Sequence, residues 1–521
     1  MKYTLKSSVY LDLLMGLHAD VADDLGISLT REAEKVQRII TNGGLTQYFR
    51  WIEQKLESAV VLGVKPSSVE YSELISLFLD DRGWVSGGAR AYAHARQILY
   101  LFRKLEDIQC PETDEAALSL FFERMREHSS SLTTAQRMLS LELSKIMPLL
   151  IDDLDLRNDF PAPDIGPGAS FEKRPHTERP EFFSDPRFRF RGAAYEQMLP
   201  ASRACAVPKT WKRRRLIFIE PSSRMLIQKG LQAYMYQAAN RYPLKKYVSF
   251  TSQKFQQNKL RKTGAASLDL SDASDHIDRR IVWIAFQRLP ILRSLLFGAR
   301  GKYEDSSHEK FACFATMGNA TTFPVMTFLL TCVVVLAEST IASRGRPVPW
   351  AGGVFGDDIV CHESVYGTVR CILGDLGLKV NVSKSYVLKL FRESCGLDLF
   401  EQYDVTPIKV KSLKTVNSDD WPRLLRYANA LFIAGYWRAS DVIVSEILSR
   451  WPKTTFGPVG APDCIWSFTA ATYDGPWSRD YQSRIPWLPT CPPELSESKD
   501  SESNLDMWLA HRRRPADVEA S

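Results

Sequence analysis

Apolar residues change their spacing along the chain, and the changes predict its elements. In "ARQILYLFRKLEDI" (95–108), Ile98, Leu99, Leu101, Phe102 and Leu105 recur at helical spacing, and the first 150 residues read mainly as helices. Thr133 with Gln136 forms a capping box ahead of Met138 and Leu139. Residues 155 to 190 carry many Pro, Gly, Asp and Arg and include "IGPGAS", which suits ordered loop; from 205 to 420 short strands alternate with helices. The most apolar stretch, Phe323 to Ala337, is short of a bilayer span and contains Pro324, Thr327 and Thr331, so it is expected as a buried helix. Beyond Asp420-Trp421-Pro422, a cap followed by a first-turn proline, residues 423–451 predict two helices and a separate helical subdomain. From 494 onwards only Leu505, Met507, Trp508 and Leu509 interrupt a polar tail, expected to be flexible.

One apolar stretch contains an anomaly. In "GVFGDDIV" (353–360) two adjacent carboxylates, Asp357 and Asp358, sit inside what otherwise reads as a buried strand pair. A two-residue reversal at Gly356-Asp357 would pair Val354-Phe355 with Ile359-Val360 and leave the aspartates at a hairpin tip. Two carboxylates about 4 Å apart repel by roughly 4 kcal/mol at a protein-like dielectric, which a divalent cation relieves. An isolated Gly-Asp-Asp can equally be a solvated turn.

A second acidic cluster, "ASLDLSDASDHID" (266–278), offers Asp269, Asp272, Asp275 and Asp278. If Leu268 and Leu270 point into a core from a strand, Asp269 faces the other way, where it could meet the hairpin. Read alone, the cluster is a polar helix start. Three converging carboxylates suit Mg²⁺ and two-ion phosphoryl transfer. Asp272 would overload such a cluster and is assigned outward.

The basic run "AVPKTWKRRRLIFIEPSSR" (206–224) surrounds a strand-like Leu216 to Ile219 with Lys209, Lys212, Arg213, Arg214, Arg215 and Arg224. As a charge run it reads as a solvated loop; as chemistry it fits a triphosphate, with Glu220 orienting one of the cations. Overall charge adds little, since 521 residues with 45% apolar content, net +6 and pI near 8.7 describe many globular proteins. The nine cysteines form no C-x-x-C pair or zinc-spaced array, which suggests reduced thiols in a cytosolic protein, and residues 1 to 20 lack a signal-peptide core.

In shared order, "GPGAS" (166–170), "VPKTWKRRRLIFIEP" (207–221), "LDLSDASD" (268–275), "MGNATTFPVMT" (317–327), "FGDD" (355–358), "LGLKVNVSKSY" (376–386), "FRESCG" (391–396) and "DVTP" (404–407) resemble the RNA-dependent RNA polymerases of positive-strand RNA bacteriophages, the leviviral replicase catalytic subunits. The resemblance covers about residues 160 to 415. It implies an α+β right-hand polymerase: a mainly helical region at 1–155, fingers at 156–265, a palm with an antiparallel sheet flanked by helices at 266–415 (with a fingers insertion around 280–315), a helical thumb at 416–490 and a flexible tail at 491–521.

It further implies that Asp269, Asp357 and Asp358 hold two Mg²⁺ ions, for which Mn²⁺ can substitute, and that Lys209, Lys212 and Arg215 contact the nucleoside triphosphate. Gly318, Asn319 and Asp275 would sense its ribose, since choosing ribonucleotides requires a partner for the 2′-hydroxyl. The plainer readings are that Asn319 caps the apolar helix and that Asp275 sits in a helix first turn. Lys384 matches the position proposed to protonate pyrophosphate. The implied partners are single-stranded RNA template, nucleoside triphosphates, host elongation factors Tu and Ts and a ribosomal RNA-binding protein, in the cytoplasm of an infected bacterium and without a membrane. The rival readings are a reverse transcriptase, which usually carries an aromatic gate and a Tyr-x-Asp-Asp hairpin, and a non-catalytic RNA-binding virion protein.

Overall fold

In the first helix, Ser7–Leu25, Leu13, Leu14, Leu17 and Val21 share a stripe and are fully buried, as three-and-four spacing requires. The computed structural model describes residues 7–55, 88–108, 110–128, 130–153, 156, 171, 201–388, 390–415, 420–469, 473, 476–479 and 483–484. The expected "GPGAS" loop and the tail lie outside them. The capping box forms: Gln136 N–H donates to Thr133 Oγ1 (3.1 Å) and Thr133 N–H to Gln136 Oε1 (3.0 Å), starting helix Thr134–Leu150.

Helices and short sheets are mixed, as expected of an α+β chain. Strands β1 (Ala201–Pro208) and β2 (Arg214–Ile219) form an antiparallel hairpin, and β1 also pairs in parallel with β4 (Tyr303–Glu304). Strands β3 (Ala265–Leu268), β5 (Gly353–Phe355) and β6 (Asp358–His362) make an antiparallel sheet with β6 in the centre. A further antiparallel sheet, β7 (Phe391–Ser394), β8 (Leu397–Phe400) and β9 (Tyr403–Asp404), follows.

Against the β3–β6–β5 sheet lies helix Thr322–Ser343, which is longer than the run from Phe323 to Ala337 that its apolar residues define. Its 22 residues would be long enough to cross a bilayer, yet most of its apolar stretch is buried inside the protein. Its threonines satisfy themselves on the helix backbone: Thr327 Oγ1 donates to the Phe323 carbonyl (2.8 Å) and Thr331 Oγ1 to that of Thr327 (2.7 Å). With helices Thr134–Leu150, Ser222–Ala239 and Glu363–Asp375 it encloses one large core.

The two helices expected after Asp420 are present, Asp420–Ile433 and Trp437–Arg450. They are not a separate subdomain. Leu424, Leu431, Ile443 and Ile447 share a second core with Leu13, Leu17, Ile98 and Phe102, so both ends of the described chain bury the same apolar surface.

Candidate active site

The hairpin takes the expected form, with Phe355 opposite Asp358 and Gly356-Asp357 as the turn. Gly356 has φ +65°, and a Cβ there would lie 2.6 Å from the Phe323 ring, so this turn requires glycine. Its N–H donates to Thr327 Oγ1 (3.0 Å), fastening the turn to the long apolar helix. On the other side of β6, Leu268 pairs with Ile359; Leu268 and Leu270 are buried, and the alternation turns Asp269 towards Asp358.

The carboxylates act on one another electrostatically. Burial, then the charges of Asp357, Asp269 and Glu393, push the Asp358 carboxyl up to about 7, although its Oδ2 accepts from the Cys395 N–H (3.2 Å). Burial also raises Asp269, with the Lys384 ammonium opposing and Asp357 adding to the rise. Asp269 is gripped from the segment after helix Glu363–Asp375: Asn381 Nδ2 donates to its Oδ2 (3.2 Å), and Lys384 Nζ stands 3.6 Å from the same oxygen. Glu393 is raised by burial and by Asp398, against the pull of Lys384 and Lys409. Among the described residues, no group of three or more His, Cys, Asp or Glu side chains is arranged so that it could hold a metal ion. The donor set is nonetheless of the kind a hard divalent cation takes, carboxylate oxygens that repel one another, with the Lys384 and Lys209 ammonium groups close enough to act on Asp269.

Beside the carboxylates opens a cleft of about 640 Å³, lined by Lys209, Arg215 and Lys384 together with Lys104, Lys409 and Lys411. Burial first, then Arg215 and Lys384, lower the Lys209 ammonium; burial, then Lys409, Lys411 and Arg215, lower that of Lys104. Cations crowded enough to depress one another form a site for a polyanion. Asp272 is exposed, as assigned, but its charge reaches Lys209 and Asp275, so it stands at the rim.

Two expected nucleotide contacts lie elsewhere. Lys212 is on the exposed hairpin turn beside Trp211 and does not line the cleft; the turn is anchored by Trp211 stacking on Phe49 (centroids 5.5 Å apart). Glu220 does orient a cation, but it is that of Arg224, 2.7 Å away in the interior, with Ser202 Oγ donating to the same oxygen (3.1 Å). Arg224 follows one helical turn later, so a sealed i,i+4 pair removes Glu220 from the cleft.

Of the three ribose candidates, Asp275 occupies the plainer place also considered for it. Asp275 lies in the four-residue helix Ala273–His276, and its Oδ2 accepts from Nε of Arg124 (3.0 Å), a residue of helix Asp114–Glu127 whose Nη2 forms an ion pair with the same oxygen (3.0 Å). Asn319 Oδ1 accepts from the N–H (2.8 Å) and hydroxyl (2.7 Å) of Thr321, the residue that precedes the apolar helix, so it orders the approach to that helix without capping its first turn. Its buried Nδ2 has no partner among the described residues, leaving one donor for a ligand. Gly318 has φ +112°, and a Cβ there would lie 2.2 Å from the Phe218 carbonyl oxygen, so β2 and this loop meet backbone to backbone. Arg124, Asn381, Glu393, Cys395 and Lys104 all escape a sequence reading; each arrives from a distant segment, and only Asn381, Glu393 and Cys395 lie within motifs already noted.

With this geometry in place, comparison shows what the chain is similar to. Residues 188–432 match the family model for RNA replicase, beta-chain, and over that segment the resemblance seen in the motifs holds. The RNA-directed RNA polymerase beta chain of Escherichia phage MS2 is 31% identical over 207 residues, 39% of this chain and 37% of that protein. The RNA-directed RNA polymerase subunit beta of Escherichia virus Qbeta is 26% identical over 217 residues, 41% and 36% of the two chains. The chain thus spans little more than a third of the length of the curated relatives it matches. Among solved structures, the RNA-dependent RNA polymerase of a human picobirnavirus overlays 64% of this chain and 73% of its own at 12% identity and a TM-score of 0.41. That of BmCPV at its elongation state overlays 73% and 39% at 11% identity and a TM-score of 0.43.

Proposed function

We propose that the chain is an RNA-directed RNA polymerase that copies the single-stranded RNA genome of a bacteriophage. The observation that carries this reading is the register of β3 against β6, which brings Asp269 to the Asp357-Asp358 turn at the edge of a cationic cleft. Asp269, Asp357 and Asp358 would hold two Mg²⁺ or Mn²⁺ ions, which supply charge stabilisation to the attacking and leaving oxygens of nucleotidyl transfer. The chain's own residues do the rest. Lys209 and Arg215 neutralise the incoming triphosphate, and Lys384, already beside Asp269, donates a proton to departing pyrophosphate. Asn319 offers its spare Nδ2 donor to the ribose 2′-hydroxyl, and Asp275 its Oδ1, which also accepts from Ser274 Oγ (3.1 Å).

In this reading 266–415 is the palm and 416–490 the thumb. Initiation without a primer, association with elongation factors Tu and Ts and a ribosomal RNA-binding protein, and work in the cytoplasm of the infected bacterium belong to the same proposal. Asp275 in place of an aromatic gate, and Phe355-Gly356 ahead of the aspartates, favour ribonucleotides over deoxyribonucleotides. The test is Asp357→Asn: template-directed incorporation should vanish while RNA retention on a filter persists, because the cationic cleft is intact. Undiminished synthesis by the variant would refute the assignment.

A further inference from the structure

Against the start of the hairpin lies a polar assembly that the proposed chemistry does not use. Lys259, in helix Gln253–Leu260, is buried, and its Nζ donates to three backbone carbonyls: Lys246 (2.6 Å), Ala351 (2.7 Å) and Gly352 (2.6 Å). An ammonium has three protons, and all three are spent here. One turn earlier, Gln256 Nε2 donates to the carbonyls of Gly353 (2.9 Å) and Asp358 (3.3 Å), one on each strand of the hairpin. Glu338, from the long apolar helix, accepts from the Gly352 N–H (2.6 Å) and the Tyr247 hydroxyl (3.0 Å).

The backbone is shaped to let these groups in. A Cβ on Gly353 would sit 2.3 Å from Gln256 Oε1 and 2.6 Å from Lys259 Cδ, and one on Gly352 would sit 2.7 Å from Val334 Cγ1. Two consecutive glycines therefore mark where β5 passes against this cluster.

We infer that Lys259 and Gln256 are positioning residues for metal binding: by fixing the carbonyls of residues 351 to 353 and 358, they hold the hairpin at the height that brings Asp357 and Asp358 level with Asp269. This rests on the proposed metal-dependent polymerase reading and adds to it a residue pair that touches neither substrate nor ion. A hairpin free to slide by a fraction of an ångström would keep its fold, since Thr327 and the β3 ladder remain, but would present its carboxylates out of register.

The test uses the full chain and Mn²⁺ alone, measured by the loss of its free-ion paramagnetic resonance signal. Lys259→Met and Gln256→Leu are compared with the wild type, with circular dichroism and RNA retention to report folding. Outer-shell losses of this kind typically cost about 10- to 100-fold in metal affinity or activity, and a weakening in that range is expected here. kcat for nucleotide addition should fall in parallel at saturating nucleotide, with KM for nucleotide unchanged. Folded variants that bind Mn²⁺ as tightly as the wild type overturn the inference. So does a wild type that binds none. If Lys259→Met does not fold, Gln256→Leu, which removes only two neutral hydrogen bonds, decides alone. A wild type whose Mn²⁺ binding is weakened by the Lys259 and Gln256 substitutions yet makes no RNA leaves the positioning role standing and refutes the polymerase reading instead.

Discussion

Asp358→Asn should stabilise the metal-free protein, and more so as pH rises. The carboxyl is moved from an ordinary 3.8 to about 7 by burial and by Asp357, Asp269 and Glu393. A carboxyl whose folded value is raised favours the folded state fully below about 4, loses that advantage as pH climbs towards 7, and is constant above. At about 1.36 kcal/mol per tenfold, the ionised group costs up to about 4 kcal/mol at pH 8 but only about 1.5 at pH 5. Asparagine keeps the shape and still accepts from the Cys395 N–H without the charge. Denaturant unfolding in excess chelator should therefore show the variant more stable than the wild type at pH 8, with an advantage reduced by about 2 to 3 kcal/mol at pH 5. Mg²⁺ should restore the wild type at pH 8 and help the variant less. A variant that is less stable than the wild type at pH 8, or a difference independent of pH, would refute the clustering of carboxylates.

Four further outcomes follow from other contacts. Gly318→Ala places a Cβ on the Phe218 carbonyl at positive φ and should destabilise by about 2 to 3 kcal/mol, read from the unfolding midpoint. Arg96→Met leaves the buried Asp398 carboxylate without its guanidinium partner and should cost about 3 to 5 kcal/mol in the same measurement. Arg124→Ala frees the Asp275 carboxylate, and the ratio of ribo- to deoxyribonucleotide incorporation should fall about tenfold, the value of one charged hydrogen bond. Lys104→Ala should raise KM for nucleotide several-fold with little change in kcat, because Lys104 lines the cleft without contacting the three aspartates.

The hairpin and its partner strand were legible because alternation is local: once Leu268 and Leu270 face the core, the side chain of Asp269 has one direction left. The capping box at Thr133 and the helix pair after Asp420 were readable for the same reason. Residues that act through the tertiary fold were not. Arg124 reaches Asp275 from 151 positions away, and nothing in its helix distinguishes it from the neighbouring arginine at 126. Lys104, Lys409 and Lys411 are scattered lysines until the fold gathers them. Glu220 shows the opposite case, where its partner Arg224 was visible at i,i+4 but the adjacent basic run suggested another role. The separate subdomain failed because burial of a helical stripe says nothing about which stripe covers it.

The core shared by residues 10–105 and 386–465 bears on when the protein can become active during its own synthesis. The earlier helices complete their shared core only once the later of these segments has emerged, and the cleft draws cations from both, Lys104 from one and Lys409 and Lys411 from the other. A nascent chain that already carries all three aspartates therefore lacks one wall of its polyanion site, which delays competence until translation has passed the second segment.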